Sequence, residues 1–182
     1  MNPIIDGKIF LTDHGNKRYV GFPIQEWVLR YSIIQLMCSG RTVLDVGSKY
    51  GQGVLFLSQW AKKVIACDIE NQLETGVEFV LADFTNGSFP LDEKFDIVNC
   101  MEVVEHVENP EVVIKNCHKC VKNDGLLTLT TPSKDRHIDT HVKPFYEKDE
   151  IISLISSYFD IVFLEEHMGV SWFCVAKPKE IN

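Results

Sequence analysis

Residues 43–53, Val43-Leu44-Asp45-Val46-Gly47-Ser48-Lys49-Tyr50-Gly51-Gln52-Gly53, constrain this chain more than any other stretch. A short apolar run ends in a glycine, a second glycine follows at 51, and Val54, Leu55, Leu57 and Trp60 continue the apolar pattern of a helix. The pattern predicts a buried strand, a glycine turn and a helix over 51–61. Glycine is needed where the backbone turns left-handed or passes close to a ligand, which makes Gly47 and Gly51 candidate contacts. Asp45 stands at the strand end, able to accept hydrogen bonds from a cationic ligand group or from the turn amides. A strand–helix turn without a ligand reads the same way in isolation. The next apolar run, Val64-Ile65-Ala66-Cys67, narrows the reading because it ends in Asp68. An acid about 20 positions past a strand–glycine turn–helix is where nucleotide folds recognise a ribose. A carboxylate there takes both ribose hydroxyls and disfavours a 2′-phosphate, so an adenosine-type cofactor is expected.

With 182 residues the chain holds one core of ordinary size, not two full domains. Its 45% hydrophobic and 24% charged residues fit a globular protein in water. No apolar run approaches the roughly 20 residues a membrane-spanning helix needs. The first residues, Met1-Asn2-Pro3-Ile4-Ile5-Asp6, carry no basic and apolar export signature, so a cytoplasmic location is expected. The six cysteines (38, 67, 100, 117, 120 and 174) lie mostly in apolar runs, as reduced core thiols do. A net charge of −8 with scattered basic residues disfavours duplex nucleic acid as a partner.

Strands are expected at 43–46, 64–67, 77–81, 95–100, 125–130, 159–165 and 171–176, with helices at 24–38, 51–61, 110–122 and 147–157. Near-continuous apolar strands alternating with helices imply a parallel sheet covered on both faces. The short link at His167-Met168-Gly169 implies a closing antiparallel hairpin. Residues 69–76 are too few for a crossover helix, so a loop is expected there. Residues 1–39 read as an N-terminal lead-in (irregular over 1–20) and helix. Its Tyr19–Trp27 segment is a candidate lid over the domain spanning 40–177.

Further along come Phe79-Val80-Leu81-Ala82-Asp83-Phe84 and then Phe95-Asp96-Ile97-Val98-Asn99-Cys100-Met101-Glu102-Val103-Val104-Glu105-His106-Val107-Glu108-Asn109-Pro110. Taken in order with the glycine turn and Asp68, these segments resemble the class I S-adenosylmethionine-dependent methyltransferases, of the type 11/23 kind. The resemblance spans about residues 40–177 and implies a Rossmann-like α/β fold: a seven-stranded, mostly parallel sheet of order 3-2-1-4-5-7-6, its last strand antiparallel, with helices on both faces. It implies S-adenosylmethionine as cofactor. Asp45, Gly47, Ser48, Lys49 and Gly51 would flank its methionine portion, Asp68 and Ile69 its ribose, Asp83 and Phe84 its adenine, with Cys100 and Met101 also lining the site. Lys49 departs from the pattern, standing where the family usually has glycine. A nicotinamide enzyme fits less well, since nothing here supplies a second domain.

Glu102, Glu105 and His106 are spaced i, i+3, i+4, so on a helical turn or short loop they converge. With His141 downstream they resemble the ExxEH-plus-histidine pattern of the ubiquinone-pathway O-methyltransferases and of the small-RNA 3′-terminal 2′-O-methyltransferases. The resemblance implies Glu102, Glu105, His106 and His141 as ligands of Mg²⁺, Mn²⁺ or Zn²⁺. It also makes His106, His141 and Glu102 the candidate catalytic groups. A histidine that merely orients the loop is the alternative. Cys117-His118-Lys119-Cys120 stands alone and reads as core packing rather than a zinc knuckle. Three functions remain open: O-methylation of a small molecule (sugar, lipid-linked or quinone-type), metal-assisted RNA-terminal methylation, and a non-catalytic cofactor-binding scaffold. The loop 132–146, with Lys134, Arg136, His137, His141 and Lys143, is a candidate acceptor surface. With no large insertion, the acceptor pocket is expected to be open or completed by a partner chain, which allows a homodimer.

Overall fold

The computed structural model describes the backbone of residues 4–5, 8–13, 16–19 and 24–180, apart from 74–75, 87–88, 91 and 136–137, and side chains from Leu29 onward within those limits. Residues 4–19 depart from the irregular lead-in expected of them. They contain three short antiparallel strands, β1 (Ile4–Ile5), β2 (Lys8–Asp13) and β3 (Asn16–Tyr19). Ile9, Phe10 and Thr12 are strand-favouring residues, a local preference that polar neighbours masked in the sequence. Helix α1 follows at Ile24–Cys38; the side chains of the candidate lid, 19–27, lie outside the described residues.

The main sheet is built as the sequence implies. Its strands are β4 (Thr42–Val46), β5 (Lys63–Asp68), β6 (Glu78–Leu81), β7 (Phe95–Met101), β8 (Val121–Pro132), β9 (Phe159–His167) and β10 (Ser171–Pro178). They lie in the order β6-β5-β4-β7-β8-β10-β9, which is 3-2-1-4-5-7-6 when these seven are counted along the chain. All pairings are parallel except those of β10, which runs antiparallel to both β8 and β9.

Alternation along each strand divides the core in two. Leu44, Ile65, Val98 and Cys100 face α3 (Pro110–Cys120) and α4 (Lys148–Ser156), meeting Ile114, Cys117, Ile151 and Ile155. Val43, Val64, Ala66 and Ile97 face α1 and α2 (Gln52–Ser58), meeting Tyr31, Ile34, Val54 and Leu57. All six cysteines are buried free thiols. Pro110 opens α3, where its missing N–H is no loss. A reciprocal Glu147–Glu150 capping box opens α4.

The two boundaries that differ most from expectation do so for local reasons. Helix α2 stops at Ser58 because Trp60 and Lys62 bond back to the segment after α1: the Gly40 N–H donates to the Trp60 carbonyl (3.1 Å) and the Lys62 N–H to Arg41 (2.9 Å). Strand β8 begins at Val121, directly after α3, rather than at 125. Asn123-Asp124-Gly125 is therefore within the strand. Gly125 is needed there because a Cβ would lie 2.9 Å from the Asp96 carbonyl and 2.7 Å from a Val121 methyl.

Candidate functional site

The order of strands reverses between β4 and β7, and in open α/β sheets ligands bind in the crevice at the carboxyl ends of the strands beside such a reversal. The turn after β4 lies at this crevice. Gly47, Lys49 and Gly51 all have left-handed backbones, with φ of 74°, 46° and 81°. Gly47 also passes so close to the loop after β7 that a Cβ would come within 2.5 Å of a Val103 methyl. Lys49, as a non-glycine residue, adopts this conformation at a cost of roughly 1–2 kcal/mol.

Hydrogen bonds fasten the turn to β5. The N–H groups of Gly47 and Ser48 donate to the Cys67 carbonyl at 2.8 and 3.1 Å. Asp68 accepts from the Lys49 N–H (2.8 Å) on one oxygen and from the Ile69 N–H (2.7 Å) on the other. A carboxylate offers about four lone-pair positions, so both Asp68 oxygens keep capacity for a ligand hydroxyl. Ile69 beside it is largely exposed at the mouth.

Deeper in, strand register builds a polar row. Asp45, Asn99 and Thr128 are aligned across β4, β7 and β8. The Thr128 hydroxyl donates to the Asn99 side-chain carbonyl (2.7 Å) and the Asn99 amide donates to Asp45. Burial pushes the Asp45 carboxyl up to about 7, the Asn99 bond opposing and the Asp68 charge adding. Tyr31, from α1, packs against this row, and its hydroxyl lies where a Cβ on Gly53 would stand. Burial and then the Asp45 charge drive the Tyr31 phenol well up.

The other expected cofactor residues are distributed. Met101 faces the α1 side, nearly buried, whereas Cys100 points into the opposite core. Asp83 accepts from the Thr85 N–H (2.8 Å), the Thr85 hydroxyl (2.6 Å) and the Asn86 amide (3.2 Å), folding its own turn. The Phe84 ring sits in the core, edge-on to Phe89, rather than at the crevice.

The loop after β7 forms one 3₁₀ turn at Val104–His106. Its Glu105 carbonyl accepts from the N–H groups of Val142 (2.8 Å) and Lys143 (3.1 Å), and Tyr146 donates its hydroxyl to the Val104 carbonyl (3.2 Å). These bonds draw the loop after β8 over the turn, bringing His141 to His106 with ring centroids 4.7 Å apart. Candidate ligand atoms of Glu105, His106 and His141 all lie within 4.8 Å of one another. The His106 Nδ1 bonds the Thr140 carbonyl at 3.0 Å. A carbonyl only accepts, so Nδ1 carries the proton and the Nε2 lone pair is left for a ligand. Glu105 is fully buried; one oxygen accepts from the Thr131 hydroxyl (3.3 Å), and the other has no hydrogen-bond partner among the described residues. Burial, and then the nearby Glu102 charge, raise its carboxyl well above the usual range. Arg136 and His137 lie outside the described residues.

Glu102 belongs to a different cluster. Its backbone is left-handed (φ 54°), and its side chain pairs with Arg30 at 2.6 Å. The buried guanidinium also reaches the hydroxyls of Thr130 and Ser171, each at 3.5 Å. Sequence reading missed Arg30, Tyr31 and Asn99. The available signal was polarity in the wrong place: Arg30 lies one and two turns before the fully buried Ile34 and Cys38, and Asn99 interrupts an apolar strand.

This sheet order, with a glycine turn tied to an acid on the second strand, defines the class I S-adenosylmethionine-dependent methyltransferase fold. The chain belongs to the methyltransferase-domain family, whose profile matches residues 18–168. It is 34% identical over 110 residues to a ubiquinone biosynthesis O-methyltransferase of Pseudomonas paraeruginosa, covering 53% of this chain and 47% of that protein. Over 149 residues it is 27% identical to a probable S-adenosylmethionine-dependent methyltransferase of Mycobacterium tuberculosis, covering 71% of this chain and 53% of the other. The chain thus spans about half the length of the curated relatives it matches. Among solved structures, the N-methyltransferase NodS of Bradyrhizobium japonicum, in complex with S-adenosylhomocysteine, superposes with a TM-score of 0.70 at 15% identity, covering 86% of this chain and 88% of that one. The [4+2]-cyclase SpnF superposes with 0.71 at 14%, covering 97% and 88%. At such identities these likenesses show the fold alone. No helix of the described residues is long and apolar enough to cross a membrane.

Proposed function

We propose that this chain binds S-adenosylmethionine in the β4–β7 crevice and transfers its methyl group to an oxygen of a small-molecule acceptor. The observation that carries the reading is the glycine turn whose Lys49 N–H is bonded to Asp68, because it fixes the backbone and leaves Asp68 lone pairs for a ribose. S-adenosylmethionine supplies a methyl group already activated on a sulfonium. The protein's task is to bind, orient and deprotonate. Asp68 receives the ribose hydroxyls, and Asp45, once ionised, offers a negative charge to the cofactor's cationic methionine end. Fixing two reactants in line is worth on the order of 7–11 kcal/mol in favourable systems. With no ion bound, the His106 Nε2, its tautomer set by the Thr140 carbonyl and His141 beside it, takes the acceptor proton; with an ion bound, that lone pair serves as a ligand instead.

Oxygen as the acceptor atom, and a quinone-type acceptor, are supported by the matches to ubiquinone biosynthesis O-methyltransferases. A divalent ion is a further part of this reading. The fully buried Glu105 oxygen without a hydrogen-bond partner, beside two imidazoles, is the donor chemistry such an ion takes. Glu105, His106 and His141 would hold it, and its charge would ease loss of the acceptor's hydroxyl proton. The test is calorimetry with S-adenosylmethionine, followed by a screen of phenols, catechols, sugars and amines with methyl-labelled cofactor. Saturable binding and label on an oxygen are expected. No binding at millimolar cofactor ends the reading, and label on nitrogen alone ends the oxygen assignment.

A further inference from the structure

The resemblance drawn from sequence gives Glu102 and Glu105 equal standing as cation ligands, but the structure treats them differently. The donors that cluster are Glu105, His106 and His141; Glu102 is absent from the set. Its carboxylate is turned to Arg30 at 2.6 Å, and both partners are largely shut from solvent. Thr130 and Ser171 flank the guanidinium, and the Glu102 N–H donates to the Thr130 carbonyl at 2.9 Å, so backbone and side chain are both held on the β8 side.

We propose that Arg30 is a built-in counter-cation that withdraws Glu102 from the cation site, so that the site takes a divalent transition ion through Glu105, His106 and His141 and discriminates against Mg²⁺. The inference rests on the metal reading given above and goes beyond it in ligand set and ion class. Two imidazoles and one carboxylate suit Zn²⁺, Co²⁺ or Fe²⁺, whereas Mg²⁺ favours carboxylates and water in a near-ideal octahedron. Charge points the same way. With Glu102 neutralised by Arg30, the site offers a single carboxylate charge, and a hard ion bound mainly by charge loses more from that than one bound through nitrogen. Arg30 acts here as a positioning residue, through Glu102.

Calorimetric titration of the protein with Co²⁺ and with Mg²⁺, supported by the visible absorption of bound Co²⁺, tests the assignment without any turnover. Co²⁺ is expected to bind about 100-fold more tightly than Mg²⁺. Glu105→Gln and His141→Ala should each weaken Co²⁺ binding by about tenfold or more, while Glu102→Gln stays within about threefold of the parent. Arg30→Gln, which releases Glu102, should tighten Mg²⁺ by about tenfold. The double variant Arg30→Gln/Glu102→Gln removes both charges of the pair. It should keep the parent's Co²⁺ affinity even where Glu102→Gln alone is too unstable to titrate. If Glu102→Gln or the double variant loses as much as Glu105→Gln, Glu102 is a ligand: the proposal falls and the metal reading stands. Equal affinity for Mg²⁺ and Co²⁺ also overturns the proposal. If the parent protein shows no site-dependent Co²⁺ binding, both fall.

Discussion

Asp45 and Glu105 are both buried carboxylates beside the same crevice, one at the end of β4 and the other just past β7. Asp45 belongs to a row of neutral partners, Asn99 and Thr128, set by strand register. Glu105 belongs to a charged neighbourhood, with Glu102, Arg30 and two histidines around it and one oxygen without a hydrogen-bond partner. Both carboxyls are raised by burial, yet the surroundings prepare them differently. The Asn99 amide donates to Asp45 and favours its ionised form against burial, which leaves the carboxyl responsive to a ligand cation. Glu105 has no such neutral support on its second oxygen and depends on a proton or an added cation.

The charged side should break most severely. Arg30→Met leaves Glu102 buried without its cation and removes a positive charge that favours ionised Glu105. Breaking such a pair from one side costs about 3–5 kcal/mol, whereas Arg30→Met/Glu102→Met should be near neutral. Urea unfolding of the parent, single and double variants measures this. A single variant as stable as the parent would mean that the charged neighbourhood does not depend on Arg30.

Next in size is the response to a divalent ion. At about 100 times its dissociation constant, an ion bound only to the folded state adds about 2.7 kcal/mol. That gain should appear for the parent in thermal unfolding with Zn²⁺ and fall to about 1.4 kcal/mol or less for Glu105→Gln, while Asp45→Asn keeps it. Without ion, Glu105→Gln should instead be the more stable protein at pH 8. The raised Glu105 carboxyl keeps its proton in the folded state after the unfolded chain has lost it, so its contribution to stability declines as pH rises above the ordinary glutamate value.

The neutral side should reveal itself through pH. Between 3.8 and about 7 the folded protein holds on Asp45 a proton that the unfolded chain has released, so this contribution to stability falls as pH rises through that window and levels off above it. Cofactor binding should run the other way, because a cationic ligand group prefers the ionised carboxyl. Below about 7 the affinity should weaken by up to about tenfold per pH unit, equivalent to about 1.4 kcal/mol. Asp45→Asn should bind more weakly at pH 8 but show no such slope. Calorimetry across pH 5.5–8.5 distinguishes the two, and a slope retained in Asp45→Asn would assign the titration elsewhere.

The two sides also differ in how much of them was legible in the sequence. The mostly parallel sheet and the glycine turn with Asp68 follow from patterns local in sequence: apolar runs, glycines and an acid after a strand; the order of the strands came only with the family resemblance. Glu105 and His106 were visible as neighbours, and His141 joined them only by resemblance. The Asp45–Asn99–Thr128 row depends on the register of three strands, and the Arg30–Glu102 pair joins residues 72 positions apart. No local spacing encodes either contact. Phe84 illustrates the converse: an aromatic after a strand-end acid suggested a purine platform, but the chain turns at Asp83 and the ring goes into the core with Phe89. Burial won because an apolar ring gains more from leaving water than a turn loses by folding around it.

The smallest effect is expected at Lys49, a non-glycine residue with a left-handed backbone in the turn. Lys49 spends roughly 1–2 kcal/mol to hold a left-handed backbone, and Lys49→Gly removes that strain. Glycine in turn gives the unfolded chain more freedom, a loss of about 0.4–1 kcal/mol, so net stability should change by less than about 1 kcal/mol. The Lys49 N–H that bonds Asp68 is backbone and survives the substitution. If the crevice relies on that backbone contact alone, Lys49→Gly should bind S-adenosylmethionine within about threefold of the parent, and the slope below pH 7 should persist. A loss beyond tenfold would show that the lysine side chain contributes to binding, bringing to the Asp45 side of the crevice a charged group of the kind otherwise confined to the Glu105 side.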